Sequence, residues 1–175
     1  GGLGCIIVFA AGNENRPLSG FHKGTQVLSG FASHPDVITV SSSNSQDQRS
    51  PYSNFGSEVW VCAPSSGGGQ PIITGDQEGT PIESSGENPI DFGGTSSAAP
   101  IVAGVCGLIL STNRKLTREE VKVILKKTAQ KINKVRGKYD IRDHSIYHGW
   151  GRVDAAKAVQ LANNYNKSSL STSPF

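Results

Sequence analysis

The stretch that most limits what this chain can become is Gly93-Gly94-Thr95-Ser96-Ser97-Ala98-Ala99-Pro100. It runs without a break into Ile101-Val102-Ala103-Gly104-Val105-Cys106-Gly107-Leu108-Ile109-Leu110. The second part is apolar on every side, which predicts a helix buried all round. Two glycines allow a sharp bend just before a polar residue opens that helix. Pro100 lacks an N–H and is tolerated only near a first turn, where it leaves the carbonyl near Ser96 without its usual helical partner. A serine at such a bend stands at the positive end of the helix dipole, beside unpaired N–H groups. Two readings follow from these residues alone. Ser96 is a cap on a core helix, the commoner case, or a nucleophile placed where an oxyanion is stabilised.

Around this centre the chain alternates short apolar runs with polar connections. Cys5-Ile6-Ile7-Val8-Phe9-Ala10 is a continuous apolar run of strand length, suited to a parallel sheet covered on both faces. It ends at Ala11-Gly12-Asn13. Ligands of open parallel sheets bind beyond the carboxyl ends of the strands, where Asn13 falls, although Gly-Asn is also ordinary turn punctuation. Residues 14–33 read as a polar loop. Asp36 to Val40 reads as a second strand, residues 41–53 as a polar connection, and Val59 to Cys62 as a third strand. Ser65 to Gln70 lacks the Gly-Lys-Ser/Thr ending of a phosphate loop. Pro71 to Thr74 and Asn88 to Phe92 read as the arms of a hairpin. Asp76, Glu78, Glu83 and Glu87 between them match no calcium-loop spacing and read as a solvated tip, although this leaves room for a structural calcium ion. Thr117-Arg118-Glu119-Glu120 is a capping box, and Val121, Ile124, Leu125, Thr128, Ala129 and Ile132 follow it at helical spacing. Residues 133–148 are a polar excursion. Asp154 stands near the start of a last helix, and Ser, Asn and Thr dominate from Asn163 onward, as in a loose tail.

A chain of 175 residues suits one domain with a real core, and 21 glycines suit a loop-rich α/β protein better than a helical bundle. Residues 114–138 hold ten of the 17 basic residues, leaving seven basic against twelve acidic residues elsewhere. No aromatic side chain interleaves that block, so it reads as a solvated helix face and no nucleic-acid partner is expected. No apolar run reaches the roughly 20 residues that span a bilayer, so no membrane span is expected. No methionine occurs, even at position 1, so the chain as given does not begin at a translation start, and a leader upstream stays open. Cys5, Cys62 and Cys106 have no zinc spacing. Cys5 and Cys106 lie in apolar runs and read as buried free thiols, a single disulfide being the alternative.

Gly94-Thr95-Ser96-Ser97-Ala98-Ala99-Pro100 resembles the nucleophile motif Gly-Thr-Ser-x-Ala-x-Pro of subtilisin-like serine proteases. It does not fit the Gly-x-Ser-x-Gly elbow of α/β-hydrolases, because Ala98 stands where the last glycine belongs. Val8-Phe9-Ala10-Ala11-Gly12-Asn13 resembles the same family's oxyanion-hole strand. His34 to Val40, Ser53 to Gly56, Val59 to Pro64 and Gly149 to Ala155 look like further motifs in the family's own order. The opening Gly1-Gly2-Leu3-Gly4 is most similar to the kexin and furin branch. The resemblance implies an α/β fold: the C-terminal part of a doubly wound, mostly parallel sheet with helices on both faces, spanning residues 1–162, with 163–175 as a polar tail. It implies Ser96 as nucleophile, Asn13 as oxyanion donor, and Ala11, Gly12 and Ala32 as part of a pocket floor. No metal ligand set is implied.

The family's Asp-Thr/Ser-Gly and His-Gly-Thr motifs have no counterpart here. The resemblance therefore implies a partial catalytic domain that acts on peptides only with a missing N-terminal half, and is inactive alone. The alternative is a peptide-binding pseudoprotease module, and a third reading is a structural α/β domain whose serine caps a helix. His144 and His148 would follow Ser96 in hydrolase order, but they read as surface histidines of a loop. The loop Ser29 to Ala32 has no acid, and Asn54 stands where the kexin and furin branch carries a carboxylate, so basic specificity is not carried over. An extracellular or secretory compartment is the family's implication. Half of such a sheet is expected to expose a strand edge and an apolar face, so that the chain alone aggregates or needs its other half to fold.

Overall fold

The computed structural model describes residues 3–72 and 92–165. Three short parallel strands form the framework: β1 (Val8–Ala10), β4 (Ile38–Ser43) and β5 (Val59–Pro64). They lie in the order β1-β4-β5, so β4 is central. Val8 pairs with Ile38 and Ala10 with Val40, and a register shift at Thr39/Val40 sets Val40 opposite Val61. Between β1 and β4 run an antiparallel hairpin, β2 (Ser19–His22) and β3 (Thr25–Leu28), and a 3-10 turn at Gly30–Ser33. The helices are α1 (Thr95–Thr112), α2 (Arg118–Thr128) and α3 (Ala155–Asn163).

The core joins Ile38, Val40, Val61 and Ala63 of the sheet to Ala98, Val102, Val105, Cys106 and Ile109 of α1. Val121, Ile124 and Leu125 of α2 and Ala158 and Ala162 of α3 complete it. The capping box forms as the sequence predicts: Glu120 N–H donates to Thr117 Oγ1 at 3.3 Å, and Thr117 N–H donates to Glu120 Oε2 at 2.7 Å. Asp154 caps α3 by accepting from the Lys157 N–H at 3.0 Å. The helical spacing runs to Ile132, but α2 stops at Thr128.

Several expectations need correction. α1 is not buried all round. Ala103, Gly104, Gly107 and Leu108 are exposed, and the space a Cβ would take at Gly104 and Gly107 is empty. With a mean hydropathy of 1.5 over 18 residues, α1 is long and apolar enough to cross a membrane by length and composition, yet its other face packs on the sheet. Cys5 is exposed, whereas Cys62 and Cys106 are buried, and all three are free thiols. Ile7 is 44 % and Phe9 41 % exposed, on the side of β1 away from the helices, where the Phe9 ring lies 5.5 Å from that of the exposed Phe31. Among the described residues nothing pairs with the outer side of β1. The stretch expected to be a polar loop contains the β2–β3 hairpin, because Lys23 (φ 49°) and Gly24 (φ 80°) make a two-residue turn of the hand that hairpins favour.

The expected polar connection from Ser41 begins as buried strand. Ser41 Oγ donates to the Tyr147 carbonyl at 2.7 Å and Ser53 Oγ accepts from Ser42 N–H at 3.1 Å, so small hydroxyls replace water. The first of these bonds ties Tyr147 to the central strand, and the burial of its neighbours corrects the reading of His144 and His148 as surface residues. His148 is wholly buried, and the buried His144 Nε2 lies 2.8 Å from the Val59 carbonyl. The chain then closes the far side of β5. Trp150 N–H reaches the Trp60 carbonyl, Cys62 N–H the Gly151 carbonyl and Val153 N–H the Cys62 carbonyl, each at 2.9 Å. Gly149 is required at that crossing: its φ is +57°, and a Cβ there would sit 2.3 Å from the Trp60 carbonyl oxygen. Ile72 and Phe92 form an isolated antiparallel bridge, and the rest of the predicted hairpin, 73–91, lies outside the described residues. Asp76, Glu78, Glu83 and Glu87 lie outside the described residues, as does the tail from Asn166.

Candidate active site

Where β1 ends, the chain passes Ala11 and Gly12 and presents Asn13 to the first turn of α1. Asn13 Oδ1 accepts from Thr95 N–H at 2.8 Å and from Thr95 Oγ1 at 2.9 Å. Thr95 Oγ1 accepts in turn from Gly12 N–H at 3.0 Å. A backbone N–H can only donate, so it must face the carbonyl oxygen of Asn13. The Nδ2 amide is thereby turned outward, and among the described residues it has no hydrogen-bond partner. Ser96 follows Thr95 and is exposed. As the second residue of α1 its N–H has no intrahelical acceptor. The Asn13 amide and the Ser96 N–H, neither paired among the described residues, thus both adjoin Thr95 at the positive end of an 18-residue helix. No acid in the first turn of α1 offsets that field.

Of the other predicted site residues, Ala11 and Ala32 are buried and share a small cluster with Leu18 and Val59, while Gly12 is half-buried. They sit directly beneath the loop that carries Asn13. Among the described residues no histidine hydrogen-bonds Ser96. No group of three or more His, Cys, Asp or Glu side chains there could hold a metal ion.

Two supports escaped the sequence reading. Asn54, 1 % exposed, accepts at Oδ1 from Glu14 N–H and Arg16 N–H, both at 3.1 Å, and donates from Nδ2 to the Ala11 carbonyl at 2.9 Å. It staples both sides of the Asn13 loop. Its remaining hydrogen bond, to Glu14 Oε2, is the main reason that carboxyl is held below the usual range. A second group, Tyr52, Ser65 and Ser97, surrounds Gly94. In the sequence Asn54 stands out only by its place in a Ser-Asn-Phe-Gly loop, where the kexin and furin branch carries a carboxylate, which does not reveal its bonds to the Asn13 loop, and none of the three hydroxyls carries a spacing signal.

A parallel sheet with a serine at the head of its core helix, and an amide at the end of a sheet strand, is an α/β arrangement that places polar groups where ligands of such sheets bind. The profile of the subtilase family, Peptidase_S8, matches residues 1–161, and the chain belongs to that family. It is 40% identical over 174 residues to a calcium-dependent protease of Trichormus variabilis, covering 92% of this chain and 25% of the relative. It is 34% identical over 166 residues to kexin of Candida albicans, covering 93% of this chain and 16% of kexin. Among solved structures, a lanthipeptide protease superposes with a TM-score of 0.69 at 25% identity, over 90% of this chain and 51% of that one. The chain thus spans a quarter or less of these two curated relatives.

Proposed function

We propose that this chain is the C-terminal part of a serine endopeptidase catalytic domain. Ser96 is the nucleophile, Asn13 Nδ2 and the Ser96 N–H are the oxyanion donors, and Ala11, Gly12 and Ala32 contribute to the floor of the substrate pocket. The acid and the base come from an N-terminal part, so residues 1–175 alone are inactive. The observation that supports this reading is the pair of hydrogen bonds from Thr95 to Asn13 Oδ1, which tie the Asn13 side chain to the residue before Ser96 and leave Nδ2 without a partner among the described residues. In the reaction, Ser96 Oγ attacks the peptide carbonyl carbon while its proton passes to the imidazole of the N-terminal part. The carbonyl oxygen, now anionic, receives the two free N–H groups. Collapse expels the amine, which takes that proton, and leaves an ester on Ser96 that water hydrolyses.

The test is reconstitution. Residues 1–175 are produced alone and together with the N-terminal catalytic portion of the calcium-dependent protease from Trichormus variabilis. Peptide hydrolysis and phosphonate labelling of Ser96 are then measured. The pair is expected to do both, Ser96→Ala neither, and the chain alone neither. Robust turnover by the chain alone would overturn the division of roles. That relative's name says that it depends on calcium. Calcium dependence of the reconstituted pair is the corresponding expectation here, read by loss of activity with a chelator and its return with added calcium.

A second reading, a peptide-binding module without catalysis, draws support from the lack of an imidazole beside Ser96. Under it, Ser96→Ala with Asn13→Ala would keep peptide affinity, and no longer form of the protein would cleave.

A further inference from the structure

Gly94 is the N-cap of α1, with φ 81° and ψ 168°, a conformation that no side chain favours. Its polar groups are held on both sides. The Gly94 N–H donates to Tyr52 Oη at 3.1 Å. The Gly94 carbonyl accepts from Ser65 Oγ at 2.8 Å, from Ser97 Oγ at 2.9 Å and from Ser97 N–H at 3.1 Å. Tyr52 Oη and Ser65 Oγ are themselves 2.8 Å apart, and Ser65 and Ser97 are each only 3 % exposed.

Tyr52 Oη also lies 3.2 Å from the Ser66 carbonyl and 3.1 Å from Ser66 Oγ, and Ser65 Oγ lies 2.8 Å from Ser97 Oγ. The shorter 2.8 Å contact between Tyr52 and Ser65 allows the protons to be assigned around a closed ring. The Gly94 N–H goes to Tyr52, the Tyr52 hydroxyl to Ser65, and the Ser65 hydroxyl back to the Gly94 carbonyl. Each hydroxyl then gives one hydrogen bond and takes one, the arrangement in which neighbouring bonds strengthen one another. The carbonyl of Gly94 and the N–H of Thr95 belong to one peptide plane. Ser65 and Ser97 pull on its oxygen end, and Asn13 Oδ1 holds its nitrogen end. Whatever turns that plane turns the Asn13 amide and swings the next N–H, that of Ser96.

We propose that Tyr52, Ser65 and Ser97 are positioning residues that fix the Gly94–Thr95 peptide plane and thereby aim the two oxyanion donors. None of them touches the reacting atoms. The kinetic consequence rests on the proteolytic reading above, whereas the ring itself does not.

The experiment uses the full-length protein containing residues 1–175, with Tyr52→Phe, Ser65→Ala and the double variant. kcat and KM on a peptide substrate and backbone amide exchange are measured on each, with unfolding midpoints confirming that each is folded. Losing one ring bond lowers kcat about tenfold at nearly constant KM, the size expected for about one neutral hydrogen bond made in the transition state. Because a ring opens only once, the double variant falls no further than the poorer single one. Exchange at the Gly94 amide speeds up in all three, while the Glu14 and Arg16 amides, held by Asn54, stay as they were. An unchanged kcat in Tyr52→Phe, losses that multiply in the double variant, a change confined to KM, or unaltered Gly94 exchange would each overturn the proposal. A wild-type protein that neither cleaves peptides nor labels would sink the proteolytic reading, and Gly94 exchange alone would then decide the ring.

Discussion

His148 provides the sharpest test of the packing beneath the sheet. It is wholly buried, and neither ring nitrogen has a hydrogen-bond partner among the described residues. Tyr139 stacks on it with centroids 6.3 Å apart and Tyr147 meets it edge-on at 6.4 Å. Burial above all, and then the charge of Arg49, push its pKa down to about 4 from the ordinary 6.5, with Asp47 opposing weakly. A depressed histidine pKa means that the unfolded chain binds the proton more tightly than the folded one. Its share of stability is therefore complete above pH 6.5 and is lost as the pH falls from 6.5 toward 4. Such a pKa gap corresponds to roughly 3 kcal/mol at the acid end. His148→Phe keeps a flat ring against Tyr139 and removes both orphaned nitrogens. Urea unfolding of the two proteins is followed from about pH 8 to pH 4, and the difference between them is taken at each pH. Taking the difference cancels the carboxylates, which lose stability in the same direction. The variant is expected to be the more stable throughout, by a margin that grows below pH 6.5. A margin independent of pH would refute the reasoning, since it would mean that His148 finds water or a partner when charged.

Three further outcomes follow from geometry. Asn13→Ala in the complete enzyme is expected to lower kcat by roughly 10²–10³ with little change in KM, the magnitude being that of the same donor in subtilisin itself; steady-state kinetics on a peptide reads it. Asn54→Ala leaves the Glu14 and Arg16 N–H groups unpaired and is expected to cost about 2–4 kcal/mol, seen as a lower denaturation midpoint and faster exchange at those two amides. Gly149→Ala drives a Cβ into the Trp60 carbonyl and demands a positive φ of a residue with a side chain, so a loss of at least about 3 kcal/mol is expected in thermal unfolding.

Local rules made much of this fold readable. Apolar runs marked all three sheet strands, and the caps Thr117 and Asp154 start their helices where the sequence says. Misreadings arose wherever a polar residue's partner is distant in sequence. Ser41 and Ser42 look like loop residues until residues 53 and 147 satisfy them. His144 looks like a surface group until the Val59 carbonyl, 85 residues earlier, meets it. Lys122 was assigned to the solvent side of α2, yet it is buried, with Nζ on the Pro35 carbonyl at 2.6 Å and over the Trp60 ring at 4.4 Å. The reverse error was made for α1, whose uniform apolar composition hid the fact that nothing described here covers Leu108. At the candidate site, the motifs single out Ser96 and Asn13, and the structure sets Asn13 against Thr95, the neighbour of Ser96, whereas the holding roles of Asn54 and Tyr52 have no motif. A clamp works through backbone atoms supplied by other segments, and those leave no pattern in the residues that hold them.

The three-stranded sheet ends differently on its two sides. Beyond β5 the backbone from Gly149 to Val153 already makes hydrogen bonds to Trp60 and Cys62, whereas beyond β1 no strand of the described residues pairs. Any growth of this sheet is therefore one-directional. If two copies joined through β1 across a twofold axis, each would use up the other's free side, and the assembly would halt as a pair instead of running on into a filament. Light scattering of this chain alone should accordingly report a dimer before anything larger from sheet pairing.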